Sequence, residues 1–151
     1  VVSQDSKNRL ESIIADAANK GANILVDGRA FNKPKAPEYA NGYFLGPTLI
    51  DKATTGMRCV DEELFGPMVV LCEIDTLDQA IEQVNANEFG NSVALFTRSG
   101  SAANHFAKSV NIGQVGINTI IPIGHANHGF TSTRLLSSVI YTSMVFLHSS
   151  F

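Results

Sequence analysis

The sequence predicts an α/β fold in which a mostly parallel sheet is flanked by helices. Segments whose apolar residues recur at helical spacing alternate along the chain with short runs rich in Val, Ile and Leu. Such alternation is typical of right-handed crossover connections between parallel strands. The composition agrees, because 151 residues with 44% apolar and 17% charged residues suit one soluble domain that buries a core.

The first elements are a helix and a strand. Leu10, Ile13 and Ile14 mark one apolar face, which predicts a helix over residues 3–20 that ends at Gly21. Residues 22–26 form a short apolar run and are predicted to be a strand, closed by an Asp-Gly turn signal.

The middle of the chain combines a loop with extended segments. Residues 30–42 hold prolines among lysines and are predicted to be a surface loop. Residues 43–50 resume extended structure, with an interruption at Gly46-Pro47. Residues 68–74 give the strongest strand signal, and Val69 to Leu71 favour a buried, pleated environment.

The later elements continue the alternation. A helix is predicted from residue 77 to about residue 85, with Thr76 as its cap. A strand over 92–97, a helix over 101–109 and a strand over 113–118 follow.

The segment Asp61–Pro67 precedes the strongest predicted strand and holds three carboxylates, Phe65 and a Gly-Pro turn. A carboxylate at such a place can accept two hydrogen bonds from a ribose diol, and an aromatic ring can lie against a flat heterocycle. A solvated acidic turn, with Phe65 filling the core, explains the same residues. Chemistry alone leaves both interpretations open.

Residues 62–67 resemble the Glu-Glu-Ile-Phe-Gly-Pro motif of the NAD(P)-dependent aldehyde dehydrogenases, with Leu64 in place of Ile. Four further stretches resemble the same family in the same order: residues 42–50, 75–81, 85–97 and 113–118. The resemblance implies that residues 1–123 are the C-terminal part of an aldehyde dehydrogenase catalytic domain. It further implies NAD as cofactor, with Glu63 binding the nicotinamide ribose and Phe65 packing beside the nicotinamide.

One branch of the family fits best. Residues 25–29, 89–91 and 113–118, the last followed by Pro122-Ile123, resemble the methylmalonate-semialdehyde dehydrogenases. The resemblance implies a CoA-acylating enzyme of valine catabolism that oxidises a semialdehyde to a CoA thioester through a cysteine thiohemiacetal, with CoA as co-substrate. It also implies a homo-oligomer in the mitochondrion, with a cytoplasmic location as the alternative.

The resemblance does not bring a catalytic residue into this chain. In the family, the reacting cysteine and the dinucleotide-binding domain lie earlier in the sequence than the position that corresponds to Val1. We therefore expect a fragment that is inactive alone. Arg58 suggests a lowered pKa for Cys59, and Cys72 is expected to be a buried small hydrophobe. Neither cysteine is predicted to be the nucleophile.

Residues 124–151 depart from the family pattern and are predicted to be a divergent tail, either strand-forming or disordered. His125 and His128 lack a nearby carboxylate or thiolate, which favours a solvated loop over a metal site. The uncharged run 135–151 is shorter than the ~20 apolar residues of a membrane span and is rich in serine. A net charge of −3 without a basic run argues against a nucleic-acid partner.

Two other functions are compatible with these observations. The chain can be a catalytically inactive relative that acts only by associating with full-length subunits, which co-purification would reveal. It can also be a free α/β binding module or a membrane-tethered piece, for which detergent-dependent solubility would be the sign.

Overall fold

The computed structural model describes residues 1–31 and 37–120, and the backbone of residues 142–146. The chain divides into two compact units, Val1–Glu73 and Ile74–Phe151. The predicted α/β class is confirmed, and three of the four strand pairings among the described residues are parallel. The strands form two three-stranded sheets, whereas the sequence pattern predicted a single one. Alternating elements indicate local connections, but they do not determine how many sheets the strands build.

Helix α1, Gln4–Asn19, confirms the first prediction. The Ser3 hydroxyl caps it by accepting a hydrogen bond from the Ser6 amide at 3.0 Å. The helix ends before Gly21, whose φ of +94° is a left-handed conformation that glycine adopts without steric cost. The residues that α1 buries are the apolar ones at helical spacing: Leu10, Ile13, Ile14 and Ala17.

The first sheet has the strand order β1-β2-β3. Its strands are β1, Asn23–Val26, β2, Thr48–Asp51, and β3, Met68–Val70. Strand β2 pairs antiparallel with β1 and parallel with β3. Ile24, Ile50 and Val70 are neighbours across the three strands, and all three pack with residues of α1 in the core of this unit.

The strand predicted over residues 68–74 is shorter and less buried than expected. Strand β3 ends at Val70, and Val69 and Leu71 are 56% and 42% exposed. Alternate side chains of a strand point to opposite faces of its sheet, and helix α1 covers only the face that holds Val70. The expectation of a fully buried strand was therefore wrong for the described residues.

Two short elements escaped the sequence analysis. Helix α2, Arg58–Asp61, is a single turn, which is too short to show a helical period. A 3₁₀ turn, Gly28–Ala30, follows β1, and the Asp27 carboxylate caps it by accepting from the Arg29 amide. Within the predicted surface loop, the structure describes another 3₁₀ turn, Pro37–Tyr39.

In the second unit, the helices and strands predicted between residues 77 and 118 are confirmed to within a few residues. Its elements are α3, Leu77–Ala86, β4, Ser92–Phe96, α4, Gly100–Ser109, β5, Gln114–Ile117, and β6, Thr142–Phe146. Thr76 caps α3 in a reciprocal capping box with Gln79. Strand β4 lies between β5 and β6 and is parallel to both.

Strand β6 lies in the range predicted as a divergent tail, so part of that range forms a strand, which is one of the two predicted alternatives. The boundary at residue 123 stays a prediction. His125 and His128 lie outside the described residues. Across residues 1–31 and 37–120, no helix has both the length and the apolar character that crossing a membrane requires.

Asn118 extends the pairing of β4 and β5 beyond the end of β5. Its φ of 56° turns the chain, and its backbone amide donates to the Leu95 carbonyl at 2.8 Å. Its side-chain oxygen accepts from the Thr97 amide at 2.9 Å, and its side-chain nitrogen donates to the Thr97 carbonyl at 3.0 Å. An asparagine side chain can make both bonds because its amide, like a peptide group, has an oxygen acceptor and a nitrogen donor.

Candidate functional site

The segment Asp61–Pro67 connects α2 to β3 and is attached at both ends. The Glu62 amide donates to the Arg58 carbonyl at 3.0 Å, which closes the turn of α2. At the other end, the Thr48 amide donates to the Pro67 carbonyl at 2.8 Å, where the parallel pairing of β2 and β3 begins. The backbone between these points is therefore held by the first unit.

Gly66 lets the segment approach helix α1 closely. A Cβ atom at this position would lie 2.5 Å from Cδ1 of Leu10, and Leu10 is fully buried. The Gly-Pro pair, which the sequence shows only as a turn signal, is thus also a packing contact. A larger residue at position 66 would force either the buried Leu10 side chain or the segment itself to shift.

Arg9 of α1 contacts two consecutive residues of the segment. Its Nη1 donates to Oε2 of Glu62 at 2.9 Å, and its Nη2 donates to the backbone carbonyl of Glu63 at 2.5 Å. Arg58 approaches Glu62 from α2, with Nε donating to Oε1 at 2.5 Å. The carboxylate of Glu62 therefore lies between two guanidinium groups and is a structural member of the segment.

The hydrogen bond from Arg58, followed by the bond from Arg9, holds the pKa of Glu62 below its usual value of 4.5. Because the folded pKa is lower than the unfolded one, the stability that Glu62 contributes is present above about pH 4.5 and is lost as the pH falls through the lower folded value.

We expect Glu62→Gln to remove part of the acid sensitivity of folding. The loss at pH 7 should be at most about 1 kcal/mol, because the pair is partly solvated and screened. Urea unfolding of both proteins at pH 7 and pH 3 measures the difference, which should shrink at pH 3. Glu82→Gln, an exposed change on α3, is the control and should follow the wild type at both pH values. An equal difference at pH 7 and pH 3 would contradict the assignment.

Phe65 and Glu63 occupy different surroundings on this segment. The ring of Phe65 is 44% exposed and lines a cleft of about 280 Å³, together with Ser6, Arg9 and Leu10. Glu63 does not line that cleft, and its backbone carbonyl is bound by Arg9. The alternative in which Phe65 fills the core is wrong, because nearly half of the residue faces solvent. A half-exposed ring on an anchored loop can stack on a planar ligand group.

The expectation for Cys59 was wrong. Burial raises the pKa of its thiol to about 11, whereas the neighbouring arginine had suggested a lowered value. The guanidinium of Arg58 is bonded to Glu62 instead. Cys72 is partly buried and packs against the same core. A thiol with this pKa is protonated at neutral pH, which agrees with its exclusion as a nucleophile.

Arg9 and Arg58 were not predicted to be parts of the site. The four-residue spacing of Arg58 and Glu62 is a signal for an ion pair on a helix, although the helix itself was not predicted. Nothing in the sequence connects Arg9 with a carbonyl that lies 54 positions further along the chain.

Comparison with known proteins places this geometry in a family. The model of the "Aldehyde dehydrogenase family" matches residues 1–133. The chain belongs to the aldehyde dehydrogenase family. The match includes the anchored segment with Glu63 and Phe65 and continues for ten residues beyond the predicted boundary at residue 123.

Several of the similar proteins are named methylmalonate-semialdehyde dehydrogenases, and similar solved structures also include betaine aldehyde dehydrogenases. The human methylmalonate-semialdehyde/malonate-semialdehyde dehydrogenase [acylating], mitochondrial, is 42% identical over 134 residues, which are 89% of this chain and 24% of the human protein. A crystal structure described as a methylmalonate-semialdehyde dehydrogenase of Sinorhizobium meliloti, complexed with NAD, is similar with a TM-score of 0.78 and 38% identity. That similarity covers 86% of this chain and 26% of the bacterial one.

A methylmalonate-semialdehyde dehydrogenase from Oceanimonas doudoroffii is similar to the same extent, with a TM-score of 0.77, 38% identity, and coverage of 86% of this chain and 26% of that protein. This aldehyde dehydrogenase chain thus spans about a quarter of the length of the relatives that it matches. The resemblance to the family, predicted from motifs, is confirmed over most of the chain.

Proposed function

We propose that this chain is the part of an NAD-dependent, CoA-acylating semialdehyde dehydrogenase that receives the nicotinamide end of the cofactor. The observation that carries the proposal is the anchored segment Asp61–Pro67, which holds a half-exposed ring and a carboxylate two residues apart. The names of the relatives support methylmalonate or malonate semialdehyde as the substrate.

Glu63 and Phe65 have the chemistry that this role needs. A carboxylate accepts hydrogen bonds from both hydroxyls of a ribose, and a phenyl ring covers one face of a flat heterocycle. Two observations support this role: the ring of Phe65 is accessible, and the backbone of Glu63 is held by Arg9. When bound, NAD supplies the acceptor for the hydride of the aldehyde.

The residues of this chain orient the cofactor and do not attack the substrate. A fixed ribose limits the positions that the nicotinamide ring can take, and a covering phenyl group keeps water from the ring. The reacting cysteine and most of the substrate contacts belong to other parts of the enzyme. The chain alone therefore has no turnover in this proposal.

We expect Glu63→Gln in the full-length enzyme to weaken binding of nicotinamide mononucleotide about tenfold, and to lower turnover with NAD. The amide keeps the size of the side chain but loses the charge that strengthens both bonds to the ribose. Titration calorimetry measures the affinity for the mononucleotide. ADP, which lacks the nicotinamide and its ribose, should bind as it does to the wild type.

Glu82→Gln is the matched control, because this exposed carboxylate lies on α3 outside the segment. It should change neither affinity. Unchanged affinity for the mononucleotide together with unchanged turnover in the Glu63→Gln enzyme would exclude Glu63 from the cofactor site.

The remaining features of the proposal rest on the relatives. The word "acylating" in their names supports CoA as the second substrate, which would resolve the thioester. The word "mitochondrial" supports the mitochondrion as the location. A homo-oligomer is proposed by analogy with the family alone.

A further inference from the structure

We infer that Arg9 is a positioning residue, which sets the place of Glu63 in the cofactor site. The inference rests on the proposed function of Glu63 and adds a residue from a distant part of the chain. It starts from the two bonds of Arg9, to the Glu62 carboxylate at 2.9 Å and to the Glu63 carbonyl at 2.5 Å.

The geometry of a guanidinium group makes these two bonds interdependent. The group is planar and its nitrogens donate in fixed directions, so the bond of Nη1 to Glu62 determines where Nη2 can donate. Nη2 then meets the carbonyl of Glu63. A backbone carbonyl held by a charged donor constrains the main chain from which the Glu63 side chain extends.

The groups that hold Arg9 in place have further contacts of their own. Arg9 precedes Leu10, which is 1% exposed and lies against Gly66. Glu62 is held from a second side by Arg58, whose Nη1 also donates to the Ser12 hydroxyl of α1 at 3.1 Å. Helix α1 therefore contacts the segment at residues 62, 63 and 66.

Stabilisation of the fold does not explain the arrangement on its own. The side chains of Arg9 and Glu62 are 40% and 38% exposed, and ion pairs with such exposure contribute little to the free energy of folding. The effect of Arg9 should be larger on the placement of a ligand group, since small displacements in a binding site cost much affinity or rate.

The test uses the full-length enzyme and compares Arg9→Met and Arg9→Lys with Glu63→Gln. Methionine keeps an apolar stem without donors, and lysine keeps the charge without the planar fork. We expect Arg9→Met to weaken binding of nicotinamide mononucleotide about tenfold and Arg9→Lys to weaken it about threefold, with ADP affinity unchanged in both. Lys7→Met, which removes another partly exposed cation of α1, is the control and should leave both affinities unchanged.

A double variant tests whether Arg9 affects mononucleotide affinity through Glu63 or independently of it. If Arg9 acts through Glu63, then adding Arg9→Met to Glu63→Gln should weaken mononucleotide binding no further than Glu63→Gln does alone. Additive losses would overturn the inference, as would unchanged mononucleotide affinity in both Arg9 variants. If Arg9→Met loses ADP affinity as well, Arg9→Lys decides: a selective loss of the mononucleotide supports positioning, and equal losses of both ligands contradict it.

The two proposals fail in different ways. If Glu63→Gln binds the mononucleotide as the wild type does, the proposed function of Glu63 is wrong. If Glu63→Gln is impaired and the Arg9 variants are not, only the role of Arg9 is wrong.

Discussion

Replacing Gly28 by alanine should destabilise the first unit by about 3 kcal/mol or more. A Cβ atom at this buried position would lie 2.0 Å from the Gly46 carbonyl oxygen and 2.6 Å from Oγ1 of Thr48. The first neighbour is backbone and cannot rotate away. The Gly46 amide also donates to the Gly28 carbonyl at 3.0 Å, and the Gly28 amide donates to Thr48 Oγ1 at 3.1 Å. The clash therefore separates the turn that follows β1 from the segment that leads into β2, which these bonds hold together.

Urea unfolding followed by circular dichroism measures the effect in the 151-residue chain. Gly100→Ala is the matched control, because Gly100 opens α4 and has nothing within 4 Å of an added Cβ atom. Alanine favours a helix more than glycine does, so the control should keep or slightly raise the stability. If Gly28→Ala has the same unfolding midpoint as the wild type, the prediction is wrong, and the space beside Gly28 can accept a methyl group.

Phe106→Ala should destabilise the second unit by about 3–5 kcal/mol. Phe106 lies on α4 with no solvent exposure and packs with Ile81, Val93 and Leu95 in the core of that unit. Removing the ring loses its burial and leaves a cavity beside β4, whose central residues have no exposure either. Surrounding side chains can fill only part of that space.

Hydrogen exchange of the β4 amides is a local measure of this loss, and urea unfolding gives its size. Exchange over Ser92–Phe96 should accelerate strongly in Phe106→Ala. Phe106→Leu keeps most of the apolar volume and should cost less than about 1.5 kcal/mol. Phe65→Ala truncates a ring that is 44% exposed, so it should cost less than Phe106→Ala. Equal exchange in Phe106→Ala and the wild type would contradict the assignment of Phe106 to the core.

The helices were predictable because their signals are local. The signals are the apolar period of α1, the Thr76 cap of α3 and the spacing of apolar residues on α4. Each of them is contained within a few consecutive turns of its own helix. Strands β1 to β5 were predicted for the same reason, from short apolar runs. Helix α2 was missed because four residues do not complete a recognisable period.

The resemblance of residues 62–67 identified the family and singled out Glu63 and Phe65. It did not indicate what holds them. The exposure of Phe65, the close approach of Gly66 to Leu10 and the raised pKa of Cys59 depend on which residues surround each group after folding.

By itself, the sequence determined the longer helices, most of the strands, the α/β class and the family of this chain, since each depends on the order of residues along short stretches. Only the tertiary structure decided that the strands divide into two sheets, and that Arg9 of the first helix holds the carbonyl of Glu63. The physical reason is that a hydrogen bond or an ion pair depends on distance in space. Residues separated by more than fifty positions come within bonding distance only when the core of the first unit has formed.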